Sequence, residues 1–466
     1  MALSLNRSVL CPVVVSRDGE IAALKRALER VQGGGGQAVL IAGEAGIGKS
    51  RLVAEARTRA AELGFLCLQG QCLEPDAALP YAPLIDLLRA QLAGLRSGAL
   101  ATHPSIIPPD LTRLLTELAT ILPGIAPPPA WREPEQEKRH LFHALIQSFL
   151  AQSSTRPLLV IVEDLHWSDD TSVEFLLSLA RRAAHHPLLL LLTYRNDEVT
   201  PGLRHLLADL DRERLAWEIV LAPLTRASVG AMLEATLGPG TRGSFVDALH
   251  ALTQGNPFYV EEVLKTLAVT AEYFGDRGME DAISLDDLRA PRSVEDAVLR
   301  RLGRLSVPAL RVLTLASVVG PRFDFSILQA IAQQDEGELL GHIKQLVAAQ
   351  LVVELSAERF AFRHALTRQA IYGQLLARER QALHRTIFAA IEHDQALPEE
   401  TRLADLSYHA FKGGLWPQAL TYARRMGEHA LAVGAPQAAT EQFARAFVAT
   451  RHLDQPPAPQ LRRARG

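Results

Sequence analysis

Gly43-Glu44-Ala45-Gly46-Ile47-Gly48-Lys49-Ser50 satisfies the pattern G-x-x-x-x-G-K-[ST], and the reading of the whole chain turns on it. Before it stands a short apolar run, Ala38 to Ala42; after it comes an amphipathic helical pattern, Arg51 to Leu63, ended by Gly64. Strand, glycine-rich loop and helix in that order let successive backbone N–H groups turn inward at a helix N-terminus and surround phosphate oxygens. Gly43, Gly46 and Gly48 keep bulky side chains out of that nest. Lys49 adds a full positive charge for β- and γ-phosphates, and the Ser50 hydroxyl is a ligand for Mg²⁺. The expected nucleotide contacts therefore run from Gly43 through Glu44, Ala45, Gly46, Ile47, Gly48, Lys49 and Ser50 to Arg51.

Such a loop needs a second strand end that carries carboxylates, and Leu158-Leu159-Val160-Ile161-Val162-Glu163-Asp164 supplies one. By position Glu163 is the metal-side acid, with Ser50, and Asp164 the acid that orients water, although the longer Glu163 reaches either task. Another apolar run, Leu188 to Thr193, leads into Tyr194-Arg195. Ligands on open parallel sheets sit beyond the carboxyl ends of the strands, which puts Arg195 where it can sense a γ-phosphate. A salt bridge from Arg195 to Asp197 or Glu198 is the ordinary alternative. Asn256 and Pro257 read as the N-cap and first residue of a helix.

Working outward, the first half alternates apolar runs with helical patterns, the signature of a parallel sheet covered by helices on both faces. Five runs read as strands: Ala38 to Ala42, Phe65 to Gln69, Leu158 to Glu163, Leu188 to Thr193 and Glu218 to Leu221. Residues 12–224 are then an α/β nucleotide-binding domain, with a partly helical, proline-rich insertion at 73–137 that includes Leu84 to Leu95. Residues 225–290 read as a helical lid, Ser244 to Leu252 and Tyr259 to Val269 around Gly255-Asn256-Pro257, followed by a polar linker from Glu272 to Arg292. In 291–395, four helical patterns (Val294 to Leu305, Ala309 to Val319, Phe325 to Ala332, Glu338 to Gln350) precede two short apolar segments, Leu351 to Leu355 and Arg359 to Phe362. Helices followed by a hairpin describe a winged helix. Residues 396–466 pair helices (Leu403 to Phe411, Pro417 to Ala432, Gln437 to Thr450) with small residues at the crossings, like the start of a tetratricopeptide array whose continuation is expected to be missing.

A chain of 466 residues with 48% hydrophobic and 22% charged residues has the composition of a multidomain globular protein. A formal net charge of −3 provides no overall attraction to nucleic acid or anionic membrane. Cys11, Cys67 and Cys72, odd in number and without CxxC spacing, argue against a disulfide framework or a zinc site, and the cytosol is the expected compartment.

Taken together these residues resemble the signal-transduction ATPases with numerous domains, a branch of the AAA+ superfamily, and especially the large ATP-binding regulators of the LuxR family. The resemblance rests on Cys11-Pro12-Val13-Val14-Val15-Ser16-Arg17-Asp18, the glycine-rich loop, and Val162-Glu163-Asp164-Leu165-His166-Trp167-Ser168-Asp169. It continues through Thr193-Tyr194-Arg195, Gly255-Asn256-Pro257-Phe258 and Phe362-Arg363-His364-Ala365-Leu366. It implies that Arg17 lies near the adenine, that Arg195 is the sensor, that Pro257 packs beside the base, and that His364 reaches the diphosphate in a closed state. That family usually has Gly where Ser16 stands. Its long repeat array is cut short here and its C-terminal DNA-binding helix-turn-helix is absent, so direct DNA binding is not expected. The implied function is an ATP- and ADP-controlled regulatory switch with Mg²⁺ and slow hydrolysis, its helical C-terminus serving a protein partner or self-assembly. The competing readings are a non-hydrolysing, nucleotide-stabilised scaffold and, less well matched by the extra domains, a small-molecule kinase.

Overall fold

The computed structural model describes residues 11–73, 79–96, 108, 111–112, 114–115, 133–274, 302, 305–393 and 399–453. The helical pattern Val294 to Leu305, apart from two positions, the linker beyond Phe274 and most of the proline-rich insertion lie outside the described residues. In chain order the elements are α1 (Asp18–Gln32), β1 (Gln37–Ala42), α2 (Lys49–Glu62), β2 (Leu66–Gln71), α3 (Ala82–Arg96), α4 (Pro134–Ser153), β3 (Leu158–Glu163), α5 (Asp170–Ala183), β4 (Leu188–Tyr194), α6 (Pro201–Arg212) and β5 (Ala216–Val220). There follow α7 (Arg226–Leu237), α8 (Gly243–Thr253), α9 (Pro257–Phe274), α10 (Val307–Val319), β6 (Arg322–Asp324), α11 (Phe325–Ala332), α12 (Glu336–Ala348), β7 (Val352–Glu354), β8 (Arg359–Phe362), α13 (Ala365–Gln374), α14 (Ala377–His393), α15 (Glu399–Lys412), α16 (Trp416–Ala432) and α17 (Pro436–His452). The chain divides into two compact units, one of Ile21–Ala42, Val53–Val220 and Gln381–Gly466, the other of Met1–Glu20, Gly43–Leu52 and Leu221–Arg380.

The first unit holds the expected five-stranded parallel sheet, in the order β2-β3-β4-β1-β5. Every residue of β3 and β4 is buried, because helices cover both faces, so these strands read as unbroken aliphatic runs without alternation. Register aligns the carboxyl ends: Ala42 pairs with Tyr194, Val162 with Leu192 and Gln71 with Glu163. β5 starts at Ala216, two residues before the expected position, and exposes Trp217 and Val220 as an edge strand does. Local chemistry sets the helix ends. The Asp169 carboxylate accepts the Ser172 N–H at the start of α5, and the Thr200 hydroxyl accepts the Leu203 N–H ahead of Pro201 in α6. Gly64 (φ 83°) closes the turn after α2, with the Phe65 N–H donating to Ala60 O at 2.9 Å. The turn between α16 and α17 belongs to the same apolar core as the sheet: Ala430, Val433, Ala435, Ala438 and Ala439 are buried with Tyr81, Leu84 and Phe142.

In the second unit, α7, α8 and α9 share a core of Val229, Leu233, Val246, Leu249, Val260 and Leu264, which Cys11 enters from the N-terminal segment. α9 continues through Phe274, so the first three residues of the stretch read as a linker are helical. The hairpin of β7 and β8 is present, and it is extended to three strands in the order β6-β8-β7. β6, only Arg322–Asp324, has too few residues to show a period in sequence. It is held by Phe323 stacked on Phe360 and by the Arg359 Nε–Asp324 Oδ1 contact at 2.9 Å. Among the described residues no helix is long and apolar enough to cross a membrane.

Candidate functional site

The glycine-rich loop follows β1 without a break and turns into α2 at Lys49. Gly46 (φ 77°) and Gly48 (φ 108°) occupy the left-handed region, where a side chain is costly. Gly46 also lacks room for one: a Cβ there would lie 2.8 Å from Phe258 Cβ and 3.1 Å from Asn256 Oδ1. The loop carbonyls on either side are engaged, Ala45 O by Asn256 Nδ2 at 3.0 Å and Gly46 O by the Phe258 N–H at 3.3 Å. Asn256 Oδ1 in turn accepts the Phe258 N–H at 3.1 Å, so one residue caps α9 and grips the loop. Lys49 is buried, its ammonium donating to Gly43 O at 2.7 Å and Glu44 O at 2.8 Å. A glycine cradle, a helix N-terminus and a buried ammonium form the donor set that a nucleoside polyphosphate requires, and the residues present fit that group.

Alongside the loop lies a cleft whose walls include Val13, Arg17, Gly48, Leu52, Pro257 and Glu261. The fold thus brings Arg17, Ile47, Gly48, Arg51 and Pro257, five of the residues singled out from sequence, to one cleft. Arg17 is fixed by Ala222 O at 2.6 Å and Glu20 Oε1 at 3.2 Å. Ser16, one residue earlier, has φ 52°, the conformation glycine adopts without penalty. Ser16→Gly is expected to stabilise the protein by roughly 0.5–1 kcal/mol, the left-handed penalty less the added chain entropy of glycine. A melting midpoint raised by a degree or two in scanning fluorimetry, with nucleotide affinity unchanged, is the result to look for; a lowered midpoint contradicts it.

In the sheet unit, Glu163 ends β3, buried, and accepts the Gln69 side-chain amide at 2.7 Å. Asp164 stands at φ 62°, an uncommon conformation for a residue with a Cβ, held there by its N–H donating to Thr193 Oγ1 at 3.0 Å and by the Trp167 N–H reaching Asp164 O at 2.9 Å. Gln71 Nε2 lies 3.4 Å from its carboxylate. Arg195 is buried and bridges Glu198 at 2.6 Å, so the ordinary alternative read for it is the contact the structure contains. Five residues past Asp164, Asp169 is buried, and that burial pushes its carboxyl up to about 6 against hydrogen bonds from Ser172 and the Tyr81 N–H. His364 precedes α13 and sets its ring against Phe258, centroids 4.6 Å apart, edge to face. Sequence does not single out Gln69, Tyr81 or Glu261, and it places Thr193 and Phe258 in quoted motifs without giving them a role of their own. Each acts through a partner remote in the chain.

Residues 13–191 match the AAA ATPase domain family, so this part of the chain is similar to AAA ATPase domains. An uncharacterised protein of Rhizobium meliloti (strain 1021) is 27% identical over 428 residues, covering 87% of this chain and 40% of that protein. Among solved structures, a Signal Transduction ATPase with Numerous Domains with a tetratricopeptide repeat sensor, from Pyrococcus horikoshii, is similar at a TM-score of 0.50 and 14% identity, over 93% of this chain and 58% of that one. At that identity the likeness concerns the fold. Cdc6p from Pyrobaculum aerophilum aligns over 80% of this chain and 98% of its own, with a TM-score of 0.41 and 11% identity. The chain spans well under two thirds of the first two proteins' lengths.

Proposed function

We propose that the chain is a slowly hydrolysing, ATP-driven regulatory switch in which α9 reports the state of the phosphate-binding loop. The observation that carries the reading is the grip of Asn256 and the Phe258 N–H on the carbonyls of Ala45 and Gly46. A loop tied to the first turn of a helix cannot change its backbone without moving that turn, so phosphate contact and lid position form one equilibrium. Phe258 extends the same link to His364 through the edge-to-face contact of their rings.

In this reading Lys49 exchanges the Gly43 and Glu44 carbonyls for the β- and γ-phosphates, while Arg17 and Pro257 border an adenine. From the motifs, Ser50 and Glu163 hold Mg²⁺, Asp164 orients the attacking water, and Arg195 leaves Glu198 to sense the γ-phosphate. When bound, the metal supplies charge neutralisation at the phosphates. Driving a two-state equilibrium from 1:99 to 99:1 takes about 5.5 kcal/mol. Charge-assisted hydrogen bonds, at roughly 1.5–3 kcal/mol each, reach that figure with about two to four contacts.

The division into 12–224, 225–290, 291–395 and 396–466 belongs to the same proposal. The three-stranded sheet flanked by α10 to α13 supports a winged-helix reading of the third part, and buried Ala419, Ala423, Ala430 and Ala438 at helix crossings support a tetratricopeptide-like reading of the fourth. The fourth would engage a protein partner or a second copy, in a cytoplasmic regulator of the LuxR type. The test is single-turnover hydrolysis with Mg²⁺. Glu163→Gln is expected to retain ATP and to slow phosphate release about 100-fold. Purified protein that binds no adenine nucleotide, or phosphate release unaltered by both Glu163→Gln and Asp164→Asn, overturns the reading.

A further inference from the structure

One carboxylate on α9 stands outside the grip of Asn256 and Phe258 on the phosphate loop. Glu261, four residues past Pro257, is buried beside the cleft and lies among its walls. Its neighbour Glu262 forms an ion pair within the helix, to Lys265 at 2.9 Å. Glu261 turns instead to the N-terminal segment, where Oε1 accepts the Cys11 N–H at 3.3 Å across 250 residues of sequence. The same oxygen lies 3.5 Å from Nη1 of Arg51, the residue after Ser50. Arg51 completes the fastening, its Nη2 donating to Cys11 O and, at 3.0 Å, to Val13 O. Burial pushes the Glu261 carboxyl up, while Lys265, Arg51 and the Cys11 N–H act the other way.

Two side chains therefore clasp residues 11–13, Glu261 at the Cys11 N–H and Arg51 at the Cys11 and Val13 carbonyls. Arg51 belongs to the first turn after the phosphate loop, and Glu261 to the second turn of the lid helix. The segment they clasp continues through Val13, Val14 and Val15, the apolar wall of the cleft, and its only regular order is bends and coil. Such a wall stays in place only through contacts from elsewhere. Van der Waals contact with a flat heterocycle requires that wall to be held close to Pro257 and Leu52.

We propose that Glu261 is a positioning residue for base binding: by anchoring residues 11–13 to α9 it assembles the purine wall of the cleft only while the lid helix is docked. The inference rests on the nucleotide reading above and adds to it a separation of labour. The phosphate end of the ligand depends on the loop and Lys49, and the base end depends on the Glu261–Arg51 clasp. Lid docking and base affinity become reciprocal, since whatever strengthens one strengthens the other.

The experiment compares ATP and ADP with inorganic tripolyphosphate, which has the phosphates and no base, by calorimetric titration of the full chain. Glu261→Ala is expected to lower ATP and ADP affinity about 30-fold, since a buried carboxylate with two partners is lost, and to leave tripolyphosphate within twofold. Glu261→Gln keeps an oxygen for the Cys11 N–H and should recover most of the loss, which also keeps the test open if the alanine variant fails to fold. Equal losses for ATP and tripolyphosphate, or no loss for ATP, overturn the proposal while the nucleotide reading stands. Wild-type protein that binds neither ligand overturns both.

Discussion

Lys49→Ala is expected to lose about a thousandfold in affinity for ATP while its melting midpoint stays within a few degrees of wild type. The ammonium is the single cationic side chain within Gly43–Ser50, and it sits buried at the N-terminus of α2. Two oxygen partners already surround it, Gly43 O and Glu44 O, at 2.7 and 2.8 Å. Exchange of those carbonyls for β- and γ-phosphate oxygens converts two charge–dipole bonds into two charge–charge bonds with no further desolvation of the lysine. At about 1.5–3 kcal/mol for each charge-assisted contact, losing both removes roughly 4 kcal/mol, or three decades of affinity. ADP lacks the γ-contact and should lose about 30-fold by the same arithmetic, one bond in place of two. Fluorescent-nucleotide titration with both ligands reads the difference. An ATP affinity within threefold of wild type would show that Lys49 faces no phosphate.

How much of this was legible in the sequence depended on whether each interaction was local. The parallel sheet was visible because β3 and β4 are buried on both faces, which leaves uninterrupted aliphatic runs between polar ends. β5 begins two residues before its sequence pattern suggests, since Trp217, Glu218 and Val220 are exposed and only Ile219 is buried, which leaves no alternation to mark the start. The glycine-rich loop is local by construction: eight adjacent residues carry its geometry. Arg195 shows the opposite limit, as a strand-end arginine can sense a phosphate or pair with a carboxylate three residues on, and only coordinates distinguish the Glu198 bridge. Glu261 and Tyr81 were beyond reach for another reason. Their partners lie 250 and 352 residues away, at Cys11 and Val433, and a single sequence carries no record of such pairings.

The Tyr81 contact leads to the second large effect, at the turn between α16 and α17. Gly434→Ala is expected to destabilise the sheet unit by roughly 3–5 kcal/mol, from two independent penalties. The residue has φ 71°, where an alanine costs about 1–2 kcal/mol. A Cβ would also stand 2.7 Å from Lys138 N and 2.8 Å from Pro134 O, backbone atoms of the first two turns of α4 that cannot swing aside as a side chain would. Relief requires the turn to withdraw from α4, and that withdrawal carries with it the bond from Tyr81 Oη to Val433 O at 3.0 Å. Tyr81 is itself fully buried, and its N–H donates to Asp169 Oδ2 at 3.2 Å, the carboxylate that caps α5. Strain at residue 434 thus reaches Asp169 at the start of α5, and it should lower the urea midpoint and speed proteolysis within α16 and α17. Gly341→Ala serves as the control, because nothing lies within 4 Å of its Cβ position in α12 and alanine is the better helix former. If Gly434→Ala unfolds at the same urea concentration as wild type, the docking of this turn against α4 is wrong, and the coupling from the C-terminal helices through Tyr81 to Asp169 fails with it.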